Sequence, residues 1–317
     1  MEVGYYILMF ALGLGLLVWG SDLFVDSAIA LANRFHLSEV LIGATIVSLG
    51  TTLPETLFST IASVQGLPEM ALGNALGSIL CNTGLIAGIM LTLKPIVLDS
   101  QSAENMMQGG LFLGAGFFIY AVSGLLTGGL TRSTGIILLL LCIFYMVNTV
   151  WNARKAEEDS HLEQSTEQSF GVSDIIRIFL EAAGIYIGAD ILVKYGPKIA
   201  GAFGIPEMII SLTFVALGTS LPELVTSLVA LRKKHSALSL GNIIGADILN
   251  FVLVGGISAV ICPSAYPESI MKLELPSIFG LLFLMCVPSI LWQKAGRAQG
   301  ILMLGGYIMY LILMGIH

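Results

Sequence analysis

Two glutamates stand inside apolar stretches of the sequence, each directly after a proline. Residues 48–59 read SLGTTLPETLFS and contain Glu55, and residues 216–227 read ALGTSLPELVTS and contain Glu223. A bare carboxylate is costly in hydrocarbon, so such a side chain pairs with a cation or with another protein group. A lone glutamate of this kind is often a paired structural carboxylate, but its duplication in the same context favours a functional role.

Oxygen atoms dominate the surroundings of both glutamates. Pro54 has no N–H group and its ring crowds the preceding turn, which predicts a helix break with free carbonyl oxygens. The hydroxyl residues near Glu55 are Ser48, Thr51 and Thr52, and those near Glu223 are Thr219 and Ser220. Their spacing places most of them on one helix face. An all-oxygen set suits hard cations such as Ca²⁺ and Na⁺ and is unlike a zinc or copper site.

The apolar segment after each motif carries a row of amide and small side chains. Residues 73–82 read GNALGSILCN, and residues 241–250 read GNIIGADILN. The residues at every fourth position are Asn74, Ser78 and Asn82 in the first segment and Asn242, Ala246 and Asn250 in the second. Such rows serve either an ion pocket or hydrogen-bonded helix packing, and both interpretations stay open. Ile79 occupies the place of Asp247 in the first half. We favour an Asp247 that faces away from the site over one that adds a carboxylate.

The composition is that of a membrane protein. Of the 317 residues, 56% are hydrophobic and 11% are charged, and the mean hydropathy is +0.91. Soluble domains carry about 25% charged residues. Apolar runs of about 20 residues recur along the chain, which predicts an all-α integral membrane protein. No basic stripe for nucleic acid is present, and the four cysteines fit buried small side chains better than a metal or redox site.

We predict about ten transmembrane helices. Their approximate limits are 4–32, 37–65, 69–92, 107–126, 133–153, 173–201, 205–231, 236–260, 273–292 and 299–316. The only clearly hydrophilic connection is 154–171. It divides the chain into two five-helix repeats, 1–153 and 172–317, joined by a linker loop.

The distribution of Lys and Arg predicts the orientation of the chain in the membrane. With the N-terminus outside, ten of these residues fall on the inner side and four on the outer side, which accounts for all 14. We therefore place both termini outside and the 154–171 loop in the cytoplasm of a multi-pass protein of the cell membrane. This loop is too short for a folded regulatory domain.

The two halves are internal repeats at an offset of 168 residues. The offset maps the Leu-Pro-Glu motif at 53–55 onto 221–223 and the Gly-Asn pair at 73–74 onto 241–242. Because each half has five predicted helices, an odd number, the second half enters the membrane from the opposite side. An inverted repeat with broken helices at equivalent positions is typical of transporters whose site lies near the midplane.

At these residues the sequence resembles the cation/calcium exchanger superfamily, specifically the sodium/calcium exchanger type found in prokaryotes and archaea. The resemblance rests on G-T-[TS]-L-P-E followed by G-N-x-x-G-x-x-x-x-N in both halves, and it covers nearly the whole chain. It implies antiport by alternating access, in which Na⁺ entry down its gradient drives Ca²⁺ out. It also implies that the first two helices of each half slide as a gate against the others.

The resemblance implies a set of ion ligands. Glu55, Glu223 and backbone oxygens of Thr51 and Thr219 would bind Ca²⁺. One Na⁺ site would use Ser48, Thr51, Thr52, Glu55 and Ser78, and its counterpart would use Ala216, Thr219, Ser220 and Glu223. Asn82 and Asn250 would line the central pocket. We expect no cofactor, no catalytic residue and no nucleic-acid partner, and we expect the monomer to function in the bilayer.

The sequence departs from the family pattern at two positions. Ala246 replaces a common Ser, so one Na⁺ site lacks a hydroxyl ligand. Asn250 replaces an Asp found in some archaeal and potassium-dependent relatives, so we expect no K⁺ cotransport. Proton/calcium exchangers carry Glu where this chain has Gly77 and Gly245, which disfavours proton coupling.

The leading hypothesis is therefore a Na⁺/Ca²⁺ antiporter. One Ca²⁺ or two Na⁺ neutralise two carboxylates, and binding of more Na⁺ would make transport electrogenic. The alternative within the superfamily is a H⁺/Ca²⁺ or Mg²⁺ exchanger. An intramembrane hydrolase with an acidic dyad is disfavoured because no G-x-G-D motif occurs, and the repeats argue against a cation channel.

Overall fold

A computed structural model of the protein describes residues 2–35, 37–159, 172–203 and 218–316, and these residues form helices joined by short connections. The helices are α1 (Glu2–Arg34), α2 (Glu39–Ile42), α3 (Ser48–Thr51), α4 (Leu53–Val64), α5 (Pro68–Leu80), α6 (Gly88–Leu93), α7 (Ser100–Thr127), α8 (Arg132–Asp159), α9 (Val172–Ala202), α10 (Leu221–Arg232), α11 (Ser236–Leu249), α12 (Gly255–Ile261), α13 (Leu275–Trp292) and α14 (Arg297–Ile316). Four π-helical segments extend or connect them: Gly43–Val47, Cys81–Ala87, Asn250–Val254 and Ile270–Glu274.

Seven helical spans in the described part of the chain are long and apolar enough to cross a membrane. An eighth is the bent pair Glu39–Thr51 and Leu53–Val64. The predicted all-helical membrane architecture is confirmed at this level. The predicted sixth span corresponds to α9. This helix carries six charged residues and is not among the spans that are apolar enough to cross a membrane. The predicted seventh span and Ala216 lie partly or wholly outside the described residues, and so does most of the 154–171 linker, whose residues up to 159 are helical.

The predicted break at the first proline motif is present. α3 ends at Thr51, and Thr52 has φ −83° and ψ 3°, outside the helical range. α4 begins with Leu53 and Pro54, and its axis is bent by 46° from the preceding helix. Proline is tolerated there because the first turn of a helix needs no N–H donor. Ser220 and α10 repeat this arrangement, with φ −87° and ψ 8° at Ser220.

α7 begins seven residues earlier than the predicted limit at 107. Asp99 caps it, because its Oδ1 accepts a hydrogen bond of 2.7 Å from the Ser102 backbone N–H. Such a cap satisfies one of the free N–H groups at a helix start. The polar residues 100–106 are therefore a helical extension rather than a loop.

Two very short antiparallel ladders join the halves. β1 (Ile96–Val97) pairs with β4 (Lys294–Ala295), and β2 (Gly129–Leu130) pairs with β3 (Ser264–Ala265). Each ladder links a connection of the first half to a connection of the second. Connections that are far apart in the sequence are thus paired directly.

α11 lies at the centre of the molecule, and its backbone packs directly against the backbone of the first half. A Cβ atom at Gly241 would lie 2.2 Å from the carbonyl oxygen of Val40, and one at Gly43 would lie 2.2 Å from that of Leu238. Every residue of α11 except Ala237 is buried. Contact this close requires glycine, because any side chain would overlap the facing backbone.

α1 packs along α9 and is tied to the end of α10 by charges. Asp22 forms ion pairs with Arg232 at 2.5 Å and Lys233 at 3.2 Å, and Lys233 also contacts Asp26 at 2.6 Å. These side chains are partly exposed, so each pair contributes little alone. The network nevertheless fixes the side of α1 that faces the second half.

Candidate functional site

Glu55 and Glu223 occupy equivalent positions in the first turns of α4 and α10, directly after the two breaks. Both side chains are fully buried, with 0% exposure. The start of a helix carries partial positive charge from its free N–H groups, which favours a carboxylate there. The break and the proline therefore place each carboxylate where the backbone helps to hold it.

Each carboxylate accepts a hydrogen bond from the opposite half of the chain. Thr52 Oγ1 donates to Glu223 Oε1 at 3.2 Å, and Ser220 Oγ donates to Glu55 Oε1 at 3.5 Å. Thr52 and Ser220 are the residues that end the two breaks. The structure thus brings four of the predicted ligands together in one site: Glu55, Thr52, Glu223 and Ser220.

The amide rows also cross between halves. Thr51 Oγ1 donates to Asn242 Oδ1 at 3.2 Å, and Thr219 Oγ1 donates to Asn74 Oδ1 at 3.1 Å. These two bonds are related by the same offset of 168. Sequence reasoning noted the amides as a row but did not identify Asn74 and Asn242 as partners of the threonines.

The amides are themselves oriented by serines on the helices that bear the glutamates. Asn74 Nδ2 donates to Ser59 Oγ at 2.9 Å, and Asn242 Nδ2 donates to Ser227 Oγ at 3.3 Å. These contacts fix the threonine hydroxyls and the amide groups relative to one another across the two halves.

Several buried polar atoms at this site have no hydrogen-bond partner. They are one oxygen of each glutamate, the Ser78 hydroxyl and both polar atoms of each predicted pocket amide: Glu55 Oε2, Glu223 Oε2, Ser78 Oγ, Asn82 Oδ1 and Nδ2, and Asn250 Oδ1 and Nδ2. A buried polar atom without a partner costs free energy. Most of these atoms are oxygens, so the site is chemically prepared for a hard cation.

Ser48 is buried, but its hydroxyl donates to the Thr45 carbonyl at 3.1 Å and lies against Gly245. Its backbone oxygen accepts from the Thr52 N–H at 2.9 Å. The Ser48 side chain therefore contacts α11 rather than the glutamates.

Asp247 lies beside the site, contrary to our expectation that it faces away. It is fully buried, and its Oδ2 accepts a hydrogen bond of 2.5 Å from Thr83 Oγ1. It lies near Asn82 and Glu223. The usable signal in the sequence was its position three residues before Asn250, which places both side chains on neighbouring faces of one helix.

A family sequence model that matches most of the chain identifies its family. The sequence model described as sodium/calcium exchanger protein matches residues 5–151 and 174–315. The chain belongs to the sodium/calcium exchanger family. Members of this family are multi-pass membrane antiporters that transport ions, which confirms the resemblance drawn from the paired motifs.

Several known proteins match this chain over nearly their whole length. The chain is 35% identical to the uncharacterized membrane protein MJ0091 of Methanocaldococcus jannaschii, covering 96% of this chain and 95% of that protein. It is 33% identical to the inner membrane protein YrbG of Escherichia coli, with 95% and 94% covered. It is 29% identical to the sodium/calcium exchanger MaX1 of Methanosarcina acetivorans, with 97% of each covered.

Solved structures of the exchanger NCX_Mj have the same fold. The structure soaked with 10 mM Na⁺ and 10 mM Sr²⁺ superposes with a TM-score of 0.83 at 32% identity, covering 98% of both chains. The structure soaked with 2.5 mM Na⁺ and 0.1 mM Ca²⁺ gives 0.81 at 32% identity, covering 97% of this chain and 98% of that one.

Proposed function

We propose that the protein is a Na⁺/Ca²⁺ antiporter in which Ca²⁺ and Na⁺ compete for one site formed by Glu55 and Glu223. The observation that carries this proposal is the pair of fully buried carboxylates, each with one unpartnered oxygen and one hydroxyl from the other half. No ion pair among the described residues includes either glutamate. Two unneutralised carboxylates inside a bilayer call for a divalent cation or two monovalent ones.

The proposed ligands are oxygens of the two motifs and of the amide rows beside them. Ca²⁺ binds Glu55 and Glu223 together with the backbone oxygens of Thr51 and Thr219. Na⁺ binds at two flanking positions. One uses oxygens of Ser48, Thr51, Thr52, Glu55 and Ser78, and the other uses Ala216, Thr219, Ser220 and Glu223. Asn82 and Asn250 line the space between them. The Ser48 contribution requires a rearrangement, because its hydroxyl points to α11 and its backbone oxygen accepts hydrogen bonds from the Thr52 N–H and from Thr51 Oγ1.

We further propose ten membrane spans arranged as two inverted repeats, with both termini outside. The hydrogen bonds from Thr51 and Thr219 and those from Thr52 and Ser220 support the repeat, because each pair obeys the 168-residue offset. The ladders are consistent with this topology. The connections at 96–97 and 294–295 are both assigned to the inner side, and those at 129–130 and 264–265 to the outer side.

Competition for the same oxygens explains the coupling between fluxes. A carrier loaded with one Ca²⁺ or with two Na⁺ neutralises both glutamates, whereas an empty carrier would expose two charges to the low-dielectric centre. We infer that only loaded carriers change between inward-open and outward-open states, so one flux drives the other.

Ca²⁺ uptake into proteoliposomes tests this function. Vesicles loaded with Na⁺ and diluted into Na⁺-free buffer should accumulate radioactive Ca²⁺, whereas K⁺-loaded vesicles should not. Glu55→Gln and Glu223→Gln should each reduce uptake by about 100-fold or more, because each removes a charged ligand. Glu69→Gln, the same change on an exposed side chain, should leave uptake unchanged.

Equal Ca²⁺ uptake into K⁺-loaded vesicles would show that transport is not coupled to Na⁺. An imposed pH gradient would then test the alternative of a H⁺/Ca²⁺ exchanger, and replacement of Ca²⁺ by Mg²⁺ would test a Mg²⁺ exchanger. Flux that survives both glutamate variants would show that the proline motifs serve structure alone.

A further inference from the structure

A third buried carboxylate adjoins the glutamate pair and has no basic partner in the described part of the chain. Asp247 is 0% exposed, its Oδ2 accepts from Thr83 Oγ1 at 2.5 Å, and its Oδ1 has no hydrogen-bond partner. None of the ion pairs formed by the described residues includes it. A buried charge supported by one hydroxyl requires further compensation.

Unpartnered amide groups lie next to this carboxylate. The Asn82 side chain adjoins Asp247, with its amide positioned toward that carboxylate. The Asn82 amide oxygen has no hydrogen-bond partner. Asn250 lies one helical turn beyond Asp247 and is likewise fully buried with both polar atoms unpartnered. The amide oxygens and the carboxylate oxygen are ligands that hard cations prefer.

The hydrogen-bond partner of Asp247 differs from those of the glutamates. Thr83 donates to Asp247, whereas Thr52 donates to Glu223 and Ser220 donates to Glu55. Asp247 lies close enough to Glu223 for their charges to repel each other. A cation held at Asp247 would relieve this repulsion, and the separate partner of Asp247 is the ground for giving that cation a position of its own.

We propose that Asp247, Asn82 and Thr83 form a separate Na⁺ position that Ca²⁺ does not displace. A single carboxylate with amide and hydroxyl oxygens matches the charge of a monovalent cation. Ca²⁺ takes six to eight oxygens and gains most where two carboxylates meet, so it is drawn to Glu55 and Glu223 instead. This inference deepens the proposed exchange function and rests on it only for the assignment of Ca²⁺ to the glutamates.

The melting temperature of the purified full chain in detergent tests the proposal. It is measured at saturating Ca²⁺ while NaCl replaces choline chloride at constant ionic strength. A ligand that binds only the folded state raises the melting temperature, and we expect a rise of about 2–4 °C. Na⁺ that merely competed with Ca²⁺ at the glutamates would produce no such rise.

Variants assign the rise to Asp247. Asp247→Asn should abolish it and leave stabilisation by Ca²⁺ intact. Glu55→Gln should lose stabilisation by Ca²⁺ but retain the Na⁺ rise. Asp99→Asn, which removes an exposed carboxylate and keeps a helix cap, should behave as wild type. The proposal is wrong if the wild type shows no rise. It is also wrong if Asp247→Asn keeps the rise or if Asp99→Asn loses it.

Thr83→Val provides a second test in case Asp247→Asn does not fold. It keeps the carboxylate and removes its hydrogen-bond donor, so the Na⁺ concentration for half of the rise should increase about tenfold. An unchanged concentration would overturn the proposal. If wild-type protein shows the Asp247-dependent rise but no stabilisation or uptake of Ca²⁺, the exchange function fails while the Na⁺ position stands.

Discussion

At the scale of single residues, the distinctive contacts are hydrogen bonds that each half of the chain donates to the carboxylate of the other. Thr52 donates to Glu223, and Ser220 donates to Glu55. A hydroxyl that donates to a carboxylate forms a charge-assisted bond, which is stronger than a neutral one. These hydroxyls hold one oxygen of each glutamate and leave the other free to bind an ion.

Thr52→Val should weaken Ca²⁺ binding by about tenfold, because it removes a charge-assisted bond worth about 1.5 kcal/mol. The half-saturating Ca²⁺ concentration for uptake into Na⁺-loaded vesicles measures this. Thr56→Val is the matched control, since the Thr56 hydroxyl donates to the Thr52 carbonyl within the same helix at 2.9 Å. An effect of equal size in both variants would contradict the assigned role of Thr52.

The residue types and spacing identified the glutamates, hydroxyls and amides that the structure buries, because polar side chains stand out in an apolar sequence. Their roles as ion ligands stay predictions. The residue types and spacing did not predict that Asn74 and Asn242 hold the threonines, since spacing identifies a helix face but not the opposing helix. Asp247 was misjudged for the same reason: its partner Thr83 lies 164 positions away.

At the scale of elements, the site depends on interrupted helices. The bend of 46° after Thr51 and the π-helical segments Cys81–Ala87 and Asn250–Val254 each include or adjoin a site residue. π-helical turns redirect side chains and are frequent at functional sites. Proline predicted the bend from the sequence. No residue pattern predicted the π-helical segments, because they arise from tertiary packing.

Gly241→Ala should destabilise the protein, because the new methyl group would lie 2.2 Å from the Val40 carbonyl oxygen and force α11 away from α2. We expect a loss of several °C in melting temperature, corresponding to about 1–3 kcal/mol of overpacking. Gly280→Ala is the control, since Gly280 is an exposed position of α13 where alanine improves helix propensity. Equal melting temperatures for Gly241→Ala and wild type would contradict the close contact.

At the scale of the whole molecule, the two halves are joined by more than the connecting chain. The two ladders, the glycine contact of α11 with Val40 and the crossed hydrogen bonds all link the first half to the second. Hydropathy predicted the seven apolar spans and the bent eighth that the described residues form, because span length follows from bilayer thickness. It misplaced the start of α7 and could not reveal which connections pair as ladders, since those contacts are non-local.

Fragments 1–164 and 165–317, expressed together, should assemble into a complex that takes up Ca²⁺ in exchange for Na⁺. Co-purification through a tag on one fragment measures the assembly, and uptake into vesicles measures its activity. Gly241→Ala in the second fragment should reduce the yield of the complex. Two intact fragments that fail to associate would show that the contacts across the halves are too weak to replace the covalent link.

The crossed hydrogen bonds also constrain how such a chain could have evolved. Neither half contains the hydroxyl that donates to its own glutamate. Glu55 accepts from Ser220 of the second half, and Glu223 accepts from Thr52 of the first half. A chain made of one half alone would have an incomplete site, so two copies would need to assemble before an ion could bind. Joined in one chain, the halves can differ, as Asp247 opposite Ile79 illustrates.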